Sequence, residues 1–528
     1  MPRFSCNACL CSVLSGFRFV HSVKVGILMT TFASVALAVS KPCLTQDATA
    51  SSESRKSELG QFMTPSSIAE YMAKQFRTDR MQQVVLLDAG AGQGALSLAF
   101  TERWVQISLE PSQLTIDAYE LDKAMIEFLE PKLKSLETDG RTKTRVIEGD
   151  FVEEAAKQIR NRECRYTHAI LNPPYKKIGS KSQTRSTLAS VGVETVNLYS
   201  GFLALSIELL EKEGEIVAIV PRSFCNGPYY KPFRNFILER TSILSIHLFE
   251  ARNSAFAEDD VLQENIIIHL QKGVSQGDVM ISKSTNRAFE HLSSEIVKFD
   301  KIVQPKDDLR FIRIPTKAGQ KANESLSANS CTLHQLGVTV STGPVVDFRL
   351  KTHLRSSPNS HDAPLLYPGH FAGGILSWPR ANFKKPNAIE INESTKRWLF
   401  PPGYYVAVKR FTAKEEQRRV VATLVDPSAL PDSPIGFENH LNVYHENRGP
   451  LSEDLARGIV AFLNTQAVDD WFREFNGHTQ VNATDLRALS YPDRNALIGL
   501  GRTQRVISST GSKDPEGLKR IIRILTQR

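Results

Sequence analysis

Val84-Val85-Leu86-Leu87-Asp88-Ala89-Gly90-Ala91-Gly92-Gln93-Gly94 is an apolar run that ends on a carboxylate and passes into a turn with glycine at every second position. A short unbroken apolar run is how a strand covered on both faces reads, since a sheet between two helical layers has no solvent face to make polar. Gly90, Gly92 and Gly94 let the backbone turn into a helix beginning near Ala95, whose Leu96, Leu98, Ala99 and Phe100 can cover the sheet. Outward from this unit, strand-like runs recur at 115–119, 145–148, 168–171, 215–220, 243–249 and 265–270, separated by helical stretches such as 122–136 and 197–212. Seven strands alternating with helices predict a doubly wound, mostly parallel α/β domain.

In such a sheet ligands collect at the carboxyl ends of the strands, where strand order reverses. Asp88, Glu120, Asp150 and Asn172 fall at or just after the ends of the first four strands. A glycine turn alone also serves nicotinamide and flavin sites. With an acid or amide at each successive strand end it suits an adenosyl cofactor: Glu120 can accept both ribose hydroxyls, and Asp150 and Phe151 are placed to contact the adenine.

Residues 171–175 read Leu-Asn-Pro-Pro-Tyr. Two prolines hold Asn172 and Pro173 extended, so the main chain cannot fold back on its own carbonyls. Together with the Asn172 side chain they offer oxygens to the hydrogens of a planar amine. If the Asn172 oxygen and the Pro173 carbonyl each take one hydrogen, the conjugated lone pair is turned toward a methyl donor. An amide is no general base, so Asn172 would act by alignment and electrostatics. Tyr175 after Pro174 supplies a face for stacking a base, and a base inside a duplex reaches such a pocket only when flipped out.

These motifs, in this order, resemble the S-adenosylmethionine-dependent N6-adenine DNA methyltransferases of type II restriction-modification systems, in the gamma arrangement. The resemblance spans residues 57–272, with a class I methyltransferase domain implied there, and extends more loosely to the C-terminal part. It implies that Gly60-Gln61-Phe62-Met63-Thr64-Pro65 supplies Phe62, Thr64 and Pro65 to the methionine end of the cofactor. It also implies that Asp88, Gly90, Gly92, Gly94, Glu120, Asp150 and Phe151 hold the remainder, that Asn172, Pro173, Pro174 and Tyr175 are catalytic, and that Phe256 is a second face of the target-base pocket.

At 528 residues the chain predicts more than one domain. Residues 273–329 read as a polar connection with short strands and one helix, and 330–528 as an α+β target-recognition domain with a C-terminal tail. The resemblance implies that this second domain reads double-stranded DNA. Candidate DNA contacts are Arg349 and, in the basic stretch 409–419, Lys409, Arg410, Arg418 and Arg419. A net charge of +8 permits such a polyanion. Two other readings are a methyltransferase acting on a protein glutamine amide and a nonenzymatic DNA-binding subunit. The large second domain speaks against the former, and the intact set of strand-end residues against the latter.

A composition of 41% hydrophobic and 23% charged residues excludes wholesale disorder and a membrane bundle. Seven cysteines, four of them at positions 6, 9, 11 and 43, form no disulfide framework and fit a reducing cytoplasm. Cys6, Cys9 and Cys11 have no second ligand pair nearby, so no metal is expected. Residues 23–39 imitate a signal segment, but export is at odds with an intracellular cofactor. The expectation is that residues 1–56 are an extension, with translation starting at Met29. A separately encoded endonuclease is an expected companion, and a membrane is not.

Overall fold

The computed structural model describes residues 63–509 except 78–81, 109–111, 250–263, 306, 316–325, 327–330, 413–415 and 476–479. Met29, the four N-terminal cysteines, Phe62 and Phe256 therefore lie outside the described residues.

The expected strands are β1 (Gln83–Ala89), β2 (Gln113–Glu120), β3 (Thr142–Glu148), β4 (Tyr166–Leu171), β5 (Leu210–Pro221), β6 (Thr241–Phe249) and β7 (Asn265–Lys272). They lie in one sheet in the order β3-β2-β1-β4-β5-β7-β6. The first five are parallel, and β7 runs antiparallel to both its neighbours. The sheet does not stop at seven strands: β8 (Val279–Ser284) pairs with β6, and β9 (Ser293–Val297) with β8, giving nine. The seven-stranded expectation falls short because β8 and β9, short strands in the stretch read as a polar connection, pair onto the sheet edge, where Val279 and Ile281 enter the core. The Ser282 and Ser284 hydroxyls lie 2.9 and 3.0 Å from the two ring nitrogens of the buried His247 on β6.

Helices α1 (Ser66–Ala73), α2 (Ala95–Ile107), α3 (Lys123–Lys134), α4 (Phe151–Arg160), α5 (Gln183–Ser190), α6 (Leu198–Leu209) and α7 (Lys231–Arg240) surround the sheet. Alternate strand residues enter opposite layers, as the pleat requires. Leu86, Val217 and Ile219 pack with Met72, Phe100 and Trp104 of α1 and α2. Leu87, Ala89, Ile216, Ala218 and Val220 pack with Leu203 and Phe233 of α6 and α7. Helix α6 is buried around most of its circumference, which explains its lack of a polar face. β1 lies between β2 and β4, so strand order reverses there and opens a crevice above the carboxyl ends.

After the short α8 (Phe299–Ile302), residues 309–314 stitch this core to the C-terminal half. Phe311 belongs to the C-terminal core, and Ile312 and Ile314 to the catalytic one. The buried Arg234 of α7 donates to the carbonyls of Phe224, Gly227 and Leu309, and lies 4.9 Å from the Phe311 ring centroid.

The C-terminal half has two four-stranded sheets. One is made of β10 (Thr339–Thr342), β17 (Leu441–His445), β14 (Tyr405–Lys409) and β15 (Ala422–Val425). The other is made of β11 (Leu354–Arg355), β13 (Ala388–Glu390), β12 (Asp362–Leu366) and β16 (Gly436–Phe437). Helices α9 (Glu453–Leu463), α10 (Gln466–Phe475), α11 (Ala483–Arg487) and α12 (Arg494–Ser509) follow. α9 and α12 meet through glycines: a Cβ on Gly458 would stand 1.9 Å from the Leu497 carbonyl oxygen, and one on Gly501 1.8 Å from that of Asp454. Gly458→Ala should therefore overpack the crossing and cost about 1–3 kcal/mol, read as a lowered thermal midpoint. An unchanged midpoint would mean that the helices do not approach this closely.

Candidate active site

The turn after β1 is built onto the end of β2. Gly90 and Gly92 have φ of +79° and +55°, backbone conformations that favour glycine. The N–H groups of Gly90 and Ala91 both donate to the Tyr119 carbonyl at 2.9 Å. Gly92 donates to Oε2 of the buried Glu120 at 2.8 Å, while Glu120 Oε1 accepts the N–H groups of Leu121 and Asp122 at 2.9 and 2.8 Å. A carboxylate taken from water needs such donors, and here the backbone supplies them.

A cavity opens beside this turn. Gly90, Gly92, Tyr119, Glu120, Gly149, Asp150, Phe151, Asn172 and Pro174 line it, joined by Met63, Leu121, Met125, Lys176, Thr184, Leu198 and Phe202. Asp150 also caps α4, accepting the Val152 N–H at 2.8 Å. Phe151 is wedged between the rings of Tyr119 and Phe202, with centroids 5.2 and 4.9 Å away.

Of the described residues expected to hold the cofactor, Thr64, Pro65, Asp88 and Gly94 are off the cavity wall. Asp88 is fully buried and off the cavity wall. It shares the parity of Val84 and Leu86, so it faces α2, where Oδ2 accepts the Ser97 hydroxyl at 2.7 Å. Its Oδ1 has no hydrogen-bond partner, and burial pushes its pKa up to about 7. Gly94 is a packing glycine, with φ +82° and a would-be Cβ 2.8 Å from Leu129 Cδ1 on α3.

Asn172 ends β4 on the cavity wall. Its Nδ2 donates to the Thr64 hydroxyl at 2.9 Å, which holds the amide at the mouth of the segment. Thr64 is thus brought to the catalytic segment, whereas Pro65 is off the cavity wall and takes the N–H groups of Ile68 and Ala69 at the start of α1. Pro173 is buried and off the cavity wall, while Pro174 lines it. The Tyr175 hydroxyl donates to the Ile219 carbonyl at 3.2 Å and lies 3.4 Å from Asn172 Oδ1. Its half-buried ring sits edge-on to Tyr199 at 6.1 Å, and burial raises the phenol's pKa. Residues 176–178 are held by residues 196–198, with Leu198 N donating to Lys176 O at 2.7 Å and Ile178 N to Val196 O at 2.9 Å.

The basic stretch divides in the same way. Arg419 is 2% exposed, with Nε donating to the Thr412 hydroxyl at 3.2 Å and its guanidinium 5.7 Å from the Phe472 ring. Arg410 is half-buried and donates to the Asn439 carbonyl at 2.6 Å, and burial lowers its pKa. Counting charges missed this, because the turn between β14 and β15 sends some of those side chains inward. Lys409 and Arg418 remain partly exposed, and Arg349 is exposed beside Phe348. Of the unexpected lining residues, Leu121 carried a signal, an apolar side chain just after a strand that is 55% exposed. Lys176 and Thr184 carried none.

The sheet with its reversed β7, the glycine turn on a buried carboxylate and the amide at the end of β4 together define a methyltransferase of the restriction-modification kind, and the Eco57I restriction-modification methylase family matches residues 93–256. The chain belongs to the type II methyltransferases. It is 48% identical over 454 residues to the type II methyltransferase M.BsuBI of Bacillus subtilis, covering 85% of this chain and 90% of that one. It is 42% identical over 456 residues to M.PstI of Providencia stuartii, covering 84% and 89%. Among solved structures, the type IIL restriction-modification enzyme MmeI in complex with DNA has a similar fold, with TM-score 0.51 and 10% identity over 91% of this chain and 73% of that one.

Asp88→Asn keeps an acceptor for Ser97 and removes the ionisation. The folded pKa of about 7 lies above the ordinary 3.8, so the stability this carboxyl contributes is full below the lower value and lost as pH rises through the upper one. Melting between pH 5 and 8 should show the wild type falling relative to the variant. Parallel profiles would remove Asp88 as the titrating group.

Proposed function

We propose that the chain transfers a methyl group from S-adenosylmethionine to the exocyclic N6 of an adenine flipped out of double-stranded DNA. The observation that carries this is Asn172, its amide oriented by Thr64, on the wall of a cavity shared with Glu120 and Asp150. These residues fit an adenosyl group. The Glu120 oxygens are positioned by backbone donors where ribose hydroxyls can also donate, Asp150 and Phe151 offer an acceptor and an aromatic face to adenine, and Gly90 and Gly92 leave room for close approach. Bound there, S-adenosylmethionine supplies an electrophilic methyl group.

Asn172 Oδ1 takes one hydrogen of the target amine, which moves the nitrogen toward tetrahedral geometry and turns its lone pair to the methyl donor; Pro173, off the cavity wall here, offers its carbonyl to the second hydrogen only once the segment shifts around the base. Tyr175, its hydroxyl tied to Ile219 and its ring packed off the cavity wall, stacks on the flipped base only after turning toward it. Arg349, Lys409 and Arg418 on the C-terminal half, all at least partly exposed, contact the DNA phosphates. The activity would protect DNA from a separately encoded endonuclease in the cytoplasm. The described residues include no helix long and apolar enough to cross a membrane.

Asn172→Ala should slow single-turnover methylation by about 10² or more with DNA saturating, and leave S-adenosylmethionine affinity nearly unchanged. A wild-type rate would remove Asn172 from the chemistry. Arg418→Ala should reduce the salt dependence of DNA binding by about one unit of slope. Arg419→Ala should instead lower the thermal midpoint, because it strips a buried side chain from Thr412 and Phe472. A reversed pattern in salt-titrated binding and melting would mean that Arg419 faces DNA.

A further inference from the structure

Resting on the DNA reading above, we infer that Lys176 holds a phosphate of the extruded nucleotide at the rim of the cavity, with Thr184 as a second donor and Lys177, Lys181 and Arg185 strengthening the positive field. A base that swings into a pocket carries its own sugar and phosphate to the mouth of that pocket. A cation is needed there, and Lys176 is both exposed and part of the cavity lining, one residue beyond the catalytic segment.

The cations of this loop differ from others on the catalytic half in lacking a counter-charge. Arg77 is paired with Glu215, Arg145 and Arg165 with Asp117, and Arg240 with Glu208. Lys176, Lys177, Lys181 and Arg185 fall within ten residues, and their side chains meet no carboxylate among the described residues. Glu120 and Asp150, the acids on the same cavity wall, take backbone N–H groups. Like charges gathered without partners repel one another, and a polyanion relieves that repulsion.

The backbone that carries these side chains is fixed. Lys177 forms an antiparallel bridge with Asn197, between the two bonds that already close 176–178 against 196–198. Further on, the Ser182 hydroxyl accepts the Arg185 N–H at 3.3 Å at the start of α5, and the Thr187 hydroxyl donates to Glu153 of α4 at 2.8 Å. Thr184, half-buried on the cavity wall, has a hydroxyl with no hydrogen-bond partner among the described residues. Ammonium and hydroxyl groups are both donors that phosphate oxygens accept.

The carboxylate of the cofactor is the other anion that would enter this cavity, and a single carboxylate calls for a single cation. Four along one loop match the repeated charge of a sugar-phosphate backbone.

The test uses the full chain and its recognition duplex, mapped first by sequencing DNA from cells with and without the chain. Two further duplexes each carry one uncharged methylphosphonate, on one or the other side of the target adenine. Wild type should bind one of these about 10-fold more weakly than the ordinary duplex. Lys176→Gln should bind the ordinary duplex about 10-fold more weakly, with the salt slope reduced by about 1, and lose nothing further to that methylphosphonate. It should bind S-adenosylmethionine as wild type does, and Lys176→Arg should behave as wild type on every duplex. Additive losses from the variant and the methylphosphonate, no loss from either linkage, or weakened cofactor binding by Lys176→Gln would overturn the inference. If cells with the chain show no methylated site, the DNA reading itself falls.

Discussion

The buried carboxylate of Glu120 is the point from which the catalytic crevice is built. An unaccompanied carboxylate at this depth would carry a large desolvation cost. Three backbone N–H groups offset it, and each bond constrains a different stretch of chain. The Gly92 bond pulls the turn after β1 across to β2. The Leu121 and Asp122 bonds bend the chain away from β2, so that the Asp122 side chain can cap α3 through Ala124. The positive φ at Gly90 and Gly92 follows from this demand. The glycines are needed as much because the turn must reach a carboxylate as because a ligand must come near.

The amide of Asn172 is constrained in a comparable way, from outside its own segment. Thr64, which stands 108 positions earlier, takes one of its hydrogens. Tyr175 is anchored to β5 through Ile219 and packs against both layers of the core. Residues 176–178 are then closed against 196–198. The prolines stiffen the segment, but its placement depends on three other parts of the chain. A change at Thr64 should therefore reach the chemistry through the orientation of the amide.

What the sequence disclosed depends on whether a residue's surroundings are written in its neighbours. β1 through β7 were legible because both faces are covered by helices, so apolar runs mark them directly. β8 and β9 were expected only as short strands of a connection, because so few apolar residues (Val279 and Ile281 in β8) do not show that they extend the same sheet. Glu120, Asp150 and Asn172 fall on the cavity wall at the strand ends where spacing put them. Asp88 does not, although its parity with Val84 and Leu86 already pointed it toward α2. Gly94 is crowded by Leu129, and such crowding leaves the same mark in a sequence as closeness to a ligand. The burial of Arg419 was not legible because charge was counted along the chain, while burial depends on how residues 416–421 pack against α10.

The crossing at 309–314 has a mechanical meaning. A linker of polar, solvated residues would act as a hinge and leave the angle between the two halves to thermal motion. Here successive residues are shared between two cores, and a buried guanidinium grips carbonyls on both sides of the joint. The joint is a weld. The two halves sit as the jaws of a gauge whose spacing is set by the shared packing of 309–314.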